Sequence, residues 1–102
     1  MIKELLNSVA NRYIVSNLSM FNYHNKIYIY NDNGESEEIG ECNLNNAAEQ
    51  IAYYCLNNDI EFVQIYGNGL YLRPIAKSIV REVDKQKLNY SNKNLKVKVT
   101  IG

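Results

Sequence analysis

An acidic group of side chains in this sequence could recognise a partner of opposite charge. Five carboxylates and two tyrosines surround an Asn-Gly pair: Tyr28, Tyr30, Asp32, Glu35, Glu37, Glu38 and Glu41. Carboxylates on one short hairpin could fit a basic groove of another protein in place of phosphates, and tyrosine adds a large amphipathic contact area. The same residues could instead keep an edge strand soluble. We expect this acidic hairpin to bind a protein partner.

A basic group lies in the second half of the chain. Arg73, Lys77, Arg81 and Lys85 recur every four residues, after the turn formed by Gly67, Asn68 and Gly69. Helical geometry places the four cations on one side of a helix, where they could follow a phosphate backbone. The turn and the helix N-terminus could bind the phosphate of a nucleotide. The formal net charge of zero favours the simpler interpretation, a solvated helix face.

The two charged groups are segregated along the chain. Every charged residue from Asp32 to Glu61 is acidic, whereas basic residues dominate from Arg73 to Lys98. Such a distribution predicts a dipolar surface, which can steer a charged partner although the chain is neutral overall.

Few residues offer catalytic or metal-binding chemistry. His24 is the sole histidine, lies in a predicted loop, and has no serine or cysteine placed as a nucleophile beside it. Cys42 and Cys55 lack metal-ligand spacing, so we expect two reduced core thiols. We predict no enzymatic activity, no metal and no cofactor.

The periodicity of apolar residues predicts one α/β domain over residues 1–102. Helical spacing indicates helices over 2–14, 46–59 and 71–88, and strands are predicted over 26–30, 36–42, 60–66 and 95–101. Residues 13–20 could instead form a strand, and we leave that alternative open. Asn-Gly at 33–34 predicts the hairpin turn.

Several side chains have predicted places in these elements. Asn46 and Glu49 resemble a capping box at the start of the first long helix. The strand at 60–66 is apolar on both faces, which predicts a central strand covered twice. Inward positions of the next helix are Leu72, Ile75, Ala76, Ile79, Val80 and Val83, with Pro74 in the first turn. The strand at 95–101 could pair as an edge in a homodimer.

A hairpin followed by βαβ units implies a mixed sheet of four or five strands with helices packed on its faces. With a strand at 13–20, the order of elements resembles that of ribonuclease H-like and actin-like half-domains. Catalytic members of that family hold two metal ions with acids on the first strand, in the first helix and after the fourth strand. Here residues 12–19 contain no acid, the helix offers Glu49, and Gly67 and Asn68 follow the fourth strand. The resemblance therefore implies a non-catalytic member.

The turn from Ile65 to Asn68 and the following helix are also similar to small proteins of Firmicutes phages and mobile elements. That similarity implies an inhibitor or adaptor, with anti-defence activity against a host protein. We expect no signal peptide, and no stretch approaches the roughly 18 apolar residues of a membrane span. These observations predict a cytoplasmic protein without a membrane partner.

Overall fold

The computed structural model describes residues 11–102, which form five β-strands and two α-helices. In chain order they are β1 (Arg12–Asn17), β2 (Asn25–Asn31), β3 (Ser36–Cys42), α1 (Ala47–Asn58), β4 (Phe62–Tyr66), α2 (Leu72–Gln86) and β5 (Lys98–Ile101). A 3-10 turn, Lys87–Asn89, follows α2 directly. Within residues 11–102, no helix has both the length and the apolar character needed to cross a membrane.

The strands form one mixed sheet in the order β3-β2-β1-β4-β5. β2 is antiparallel to both β1 and β3, whereas β4 is parallel to β1 and to β5. This arrangement confirms the predicted single α/β fold with a mixed sheet whose second half is parallel. β1 resolves the alternative at 13–20 in favour of a strand. The helix predicted at 2–14 lies outside the described residues up to residue 10, and its last residues belong to β1.

The β2–β3 hairpin turns at the predicted Asn-Gly pair. The Asn31 side-chain oxygen accepts hydrogen bonds from the backbone N–H groups of Asn33 and Glu35, at 2.9 and 3.1 Å. Gly34 has a φ of 80°, which favours glycine because it has no Cβ. Hydrogen bonds within the hairpin therefore fix the turn.

Both helices pack on the same face of the sheet. The connections β3–α1–β4 and β4–α2–β5 join parallel strands in the same direction across the sheet, and right-handed crossovers then place both helices on one side. The core between the sheet and the helices contains Ile14, Ile27, Ile29, Val63 and Ile65 from the strands, and Ile51, Ala52, Cys55, Leu72, Ile79 and Val83 from the helices. We call this side of the sheet the helix-covered face. No helix or strand of residues 11–102 packs on the opposite side, which we call the uncovered face.

The edge strand β3 is held against α1 by a close contact at a glycine. Gly40 lies opposite Ile27 in the register, next to a bulge in the β2–β3 ladder. A Cβ atom at position 40 would overlap the ring and hydroxyl of Tyr54 from α1. The absence of a side chain at Gly40 therefore allows Tyr54 to lie flat against the edge of the sheet.

The predicted capping box is wrong. The Asn46 side chain makes no hydrogen bond to the first turn of α1. Its oxygen instead accepts a hydrogen bond from the backbone N–H of Asn43 at 2.9 Å, because the preceding turn competes for the same amide. The other end of α1 is as predicted, since the helix ends at Asn58 with Asp59 in a left-handed conformation.

Three predictions about burial and extent also need correction. The strand predicted at 60–66 is not covered on both faces, because Phe62 is 52% exposed. Val80 was expected to face inward but is 38% exposed, whereas Leu72, Ile79 and Val83 of the same helix are buried. The strand predicted at 95–101 begins only at Lys98, and Leu95 is buried in the core before the strand starts.

Candidate interaction surface

The side chains of the uncovered face lie in three rows. Each row contains one residue from each of the five strands, at positions that lie opposite one another across the sheet. From β3 to β5, the first row is Ser36, Tyr30, Tyr13, Phe62 and Lys98; the second is Glu38, Tyr28, Val15, Gln64 and Thr100; the third is Glu41, Lys26, Asn17, Tyr66 and Gly102. These positions alternate with the buried residues of the helix-covered face, as the strand period of two requires.

Aromatic rings occupy the middle of the uncovered face. Tyr13 and Tyr30 are directly opposite each other on β1 and β2, and their rings stack with centroids 5.7 Å apart and planes 17° apart. Tyr28 lies 6.3 Å from Tyr30 in a tilted arrangement. Phe62 follows Tyr13 in the same row, one strand further. We call Tyr30, Tyr13 and Phe62 the ring row.

A shallow cleft of about 210 Å³ opens at the β5 end of the ring row. Its lining combines two rings with polar groups: Tyr13, Phe62, Val63, Gln64, Lys98 and Thr100. Apart from Val63, these side chains belong to the uncovered face. An exposed phenyl ring beside an ammonium group can hold an apolar group and a negative charge together.

Two predicted carboxylates lie at the β3 end of the same face. Glu38 is directly opposite Tyr28, and its carboxylate lies 3.3 Å from the Lys26 ammonium group. Glu41 is opposite Lys26, and its carboxylate lies 3.0 Å from Nδ1 of His24. Both contacts are exposed to solvent, so they add little stability and exchange readily with an incoming charge.

The other carboxylates of the acidic hairpin point elsewhere. Asp32 accepts a hydrogen bond of 2.8 Å from Asn11, and Glu35 accepts one of 3.0 Å from Asn31 at the turn. Glu37 pairs with the buried Ile29 and therefore lies on the helix-covered face. The structure thus brings Tyr28, Tyr30, Glu38 and Glu41 together on the uncovered face. Glu37 is separated from them by strand alternation, and Asp32 and Glu35 lie in the turn.

The basic group lies on the solvent side of α2. Arg73, Lys77, Arg81 and Lys85 are all exposed. Arg81 donates a hydrogen bond of 3.1 Å to the Ser78 hydroxyl, on the same helix. Among residues 11–102, no ion pair joins these four cations to the acidic hairpin. The acidic hairpin and the basic side of α2 are therefore not paired with each other, although Lys26 pairs with Glu38 on the hairpin itself.

The Gly67–Gly69 turn does not share a site with those cations. A cleft of about 160 Å³ lies where β1 and β4 end, lined by Asn17, Leu18, Ser19, Met20, Phe21, Asn68 and Tyr71, and Arg73 is not part of it. A Cβ atom at Gly67 would come within 2.6 Å of the Leu18 carbonyl oxygen, and Gly69 has a φ of 127°. Both glycines are thus explained by the path of the backbone.

The described residues show no cluster suited to a metal. Within residues 11–102, no group of three His, Cys, Asp or Glu side chains could hold an ion. Glu49 is exposed in the first turn of α1.

The two cysteines are free and buried, as predicted. Burial raises the pKa of Cys42 to about 11, although a hydrogen bond with Ser16 opposes the shift. Burial likewise raises the pKa of Cys55 to about 12. Both thiols stay protonated near neutral pH and are poor nucleophiles.

Sequence reasoning missed three contributors to the uncovered face: Tyr13, Phe62 and Lys98. The sequence does contain the alternation that places them there. Tyr13 precedes the core residue Ile14 and Phe62 precedes the core residue Val63, and neighbouring strand residues point to opposite faces. Assigning these residues to one face required the order of the strands, which alternation within a single strand does not provide.

Known protein families and curated proteins give no further information about this surface. No family model matches this chain, and no curated protein is significantly similar to it.

Proposed function

We propose that this chain is a non-catalytic, cytoplasmic protein-interaction module that binds a basic site of a partner protein through the acidic, tyrosine-bearing part of its uncovered face. The residues in contact would be Tyr28, Tyr30, Glu38 and Glu41. Following the similarity to phage and mobile-element proteins, the module would act as an inhibitor or adaptor of a host or defence protein.

One observation above all supports this proposal: Tyr28 and Glu38 are direct cross-strand neighbours on a face that no other element of residues 11–102 covers. A tyrosine ring next to a carboxylate suits an arginine or lysine side chain, because the ring face and the carboxylate both attract a cation. The β3 edge of the sheet presents a second carboxylate, Glu41, one row away. Basic side chains of a partner could therefore be bound at two adjacent points.

The order and direction of the strands support the proposed relation to ribonuclease H-like domains. β1, β4 and β5 are parallel, and β2 and β3 extend the sheet from the other side of β1. β1 contains no carboxylate at the position where that family places a metal ligand. A binding role on such a scaffold is consistent with this departure.

The test is a charge reversal at the two carboxylates. A tagged wild-type protein and a Glu38→Lys/Glu41→Lys variant are used to capture proteins from the native host, and captured proteins are quantified by mass spectrometry. The expected partner is bound by the wild type and lost from the variant. Its affinity for the wild type should fall with salt, since the contact is between opposite charges.

Glu49→Lys/Glu61→Lys is the matched control, because it makes the same charge change at two exposed sites, one in the first turn of α1 and one just before β4. A partner lost equally from the control and from the Glu38→Lys/Glu41→Lys variant would reflect net charge only and would reject the surface. A partner that both variants retain would reject it as well.

A second function, binding of a nucleotide or nucleic acid, is favoured by the exposed basic side of α2. Its cations have no carboxylate partner within residues 11–102. An Arg73→Ala/Arg81→Ala variant should then lose binding to a labelled single-stranded oligonucleotide and to ATP. No binding to the wild type at low salt would dismiss this function.

A further inference from the structure

We propose that the outer edge of β5 binds an extended peptide segment of a partner protein, in which apolar and acidic side chains alternate. The segment would add a sixth strand to the sheet. The acidic hairpin lies at the other edge, so this inference does not depend on the proposed function, and either can fail without the other.

The backbone of β5 pairs on one side only. The N–H groups of Lys98 and Gly102 donate hydrogen bonds of 2.7 and 2.9 Å toward β4. In a parallel ladder the residues between them point the other way, so the N–H and C=O groups of Val99 and Ile101 face outward. Within residues 11–102, no hydrogen bond reaches these groups. Such an edge is a template for an extended chain.

The opposite edge of the sheet is less suited to this role. The β2–β3 ladder has a bulge beside Gly40, and β3 is rich in carboxylates. Both features hinder pairing with a further strand. The β4–β5 ladder has no register shift, and β5 contains no proline. The regular edge is therefore the one at β5.

α2 provides an apolar wall above this edge. The helix packs on β4 and β5. Its Gln86 donates a hydrogen bond of 3.1 Å to the backbone of Glu49, so this flank faces α1. Helical geometry places Val80 about 120° around the axis from Gln86, with the core residue Val83 between them. Val80 therefore lies on the other flank, above the free edge of β5.

The exposed apolar side chains of this region specify half of the peptide. Val80 is 38% exposed and Ile101 is 45% exposed. Ile101 pairs with the buried Ile65, so its side chain lies on the helix-covered face. An added strand would direct every second side chain to that face, beside Ile101 and below Val80. Those positions suit valine, isoleucine or leucine.

The cations specify the other half. Lys98 lies on the uncovered face of β5, and Arg73 lies two turns before Val80 on the same flank of α2. Neither cation pairs with a carboxylate in the described part of the chain. The remaining side chains of the added strand point to the Lys98 side, so acidic residues there complement the charge. A second copy of this chain fits less well, because two β5 strands would bring like charges to one seam.

The probe is a short fluorescein-labelled synthetic peptide in which valine alternates with glutamate, and fluorescence anisotropy measures its binding to the full chain. We expect a Kd on the order of 100 μM, because a short edge strand offers few contacts. A peptide with lysine in place of glutamate should bind at least about tenfold more weakly. Equal binding of the two peptides, or no binding of either at millimolar concentration, would overturn the inference.

Two N-methylated forms of the glutamate peptide test the backbone pairing. One is methylated at the valine nitrogens and the other at the glutamate nitrogens. In an added strand, alternate N–H groups face β5 and the others face solvent. One form should therefore lose at least about tenfold in affinity, while the other binds nearly as well as the parent. Equal affinities would mean that charge alone holds the peptide, and the added strand would be rejected.

Ile101→Pro and Ile101→Ala are a matched pair of protein variants. Both remove the isoleucine side chain, but only proline removes the outward N–H, and proline is tolerated where an edge N–H faces solvent. Ile101→Pro should bind the glutamate peptide at least about threefold more weakly than Ile101→Ala. Circular dichroism checks that both are folded. Identical binding by the two folded variants would contradict pairing at this edge.

Charge variants locate the site on the molecule. Arg73→Glu/Lys98→Glu should abolish binding of the glutamate peptide, whereas Arg81→Glu/Lys85→Glu, an equal charge change farther from the β5 edge, should retain it. An equal loss in both would reflect net charge and reject the edge. Sedimentation equilibrium of the wild type alone completes the test. A dimer that is lost in Ile101→Pro would mean that a second copy occupies the edge, which also overturns the inference.

Discussion

The two faces of the sheet share every strand, yet they are made of different side chains. On the helix-covered face, Ile14, Ile27, Ile29, Val63 and Ile65 are at most 3% exposed. On the uncovered face, tyrosines, one phenylalanine and charged residues remain partly or largely accessible. Burial of the aliphatic side chains provides most of the stability of folding. The second face adds little to folding and is therefore free to vary for recognition.

The difference in side-chain chemistry fits this division of roles. Isoleucine and valine have no polar group, so they are suited to a permanently dry core. Tyrosine combines an apolar ring with a hydroxyl that forms hydrogen bonds to water when exposed. It therefore suits a surface that is exposed in the free protein and buried in a complex.

Ile65→Ala should be among the most destabilising single changes on the helix-covered face. Ile65 is fully buried between the sheet and the helices, and we expect a loss of about 2–5 kcal/mol in the free energy of unfolding. Urea denaturation followed by circular dichroism measures it. Gln64→Ala, on the uncovered face of the same strand, is the control and should change stability by less than about 0.5 kcal/mol. Equal losses would contradict the division between the faces.

Gly40→Ala should cost about 1–3 kcal/mol, because its Cβ would overlap the ring of Tyr54 on the helix-covered side of β3. Urea denaturation again gives the value. The double variant Gly40→Ala/Tyr54→Ala removes the overlap, so it should be more stable than the sum of the two single changes allows. Strict additivity would show that the glycine is needed for another reason.

Much of the fold could be predicted from the sequence, because local signals determined its elements. The hairpin turn at Asn33 and Gly34, the edge strand at 36–42 and the end of α1 at Asn58 all agree with the structure. In each case the residues that fix the conformation are neighbours in sequence. The capping box failed for the same local reason, since Asn43 competes for the Asn46 side chain.

The candidate surface could be predicted only in part, because it depends on which strands are neighbours. Tyr28 and Tyr30 were identified from one hairpin, and so were Glu38 and Glu41. Glu37 was grouped with them although a strand places it on the other face. The contribution of Tyr13 and Phe62 follows from the parallel pairing of β1 with β4, which forms between segments about 50 residues apart.

The thiols of the helix-covered face predict how stability depends on pH. Burial raises the pKa of Cys42 to about 11 and that of Cys55 to about 12. The folded state therefore keeps these protons at pH values where the unfolded state releases them. This contribution is complete below about pH 9 and is lost as pH rises through the folded pKa values, at up to about 1.4 kcal/mol per pH unit for each thiol.

Urea denaturation between pH 8 and pH 11 measures this slope. Tyrosine and lysine titrate in the same range, so the matched control is Cys42→Ala/Cys55→Ala, which retains their contribution and lacks that of the thiols. The wild type should lose stability more steeply than the control above about pH 9. Parallel curves for the two proteins would show that the thiols are accessible to water in the folded state.

Phe62→Ala should cost much less stability than Ile65→Ala, although it removes more atoms from the same strand. Phe62 is 52% exposed, so its contacts are limited to cross-strand neighbours in the ring row, which contribute about 0.2–1 kcal/mol. Urea denaturation at low micromolar protein concentration, followed by circular dichroism, measures it. A loss close to that of Ile65→Ala under those conditions would mean that Phe62 is covered within a single chain, and the uncovered face would then belong to the core. A loss below about 1 kcal/mol would show that Phe62 contributes little to folding and that the two faces of β4 have different roles.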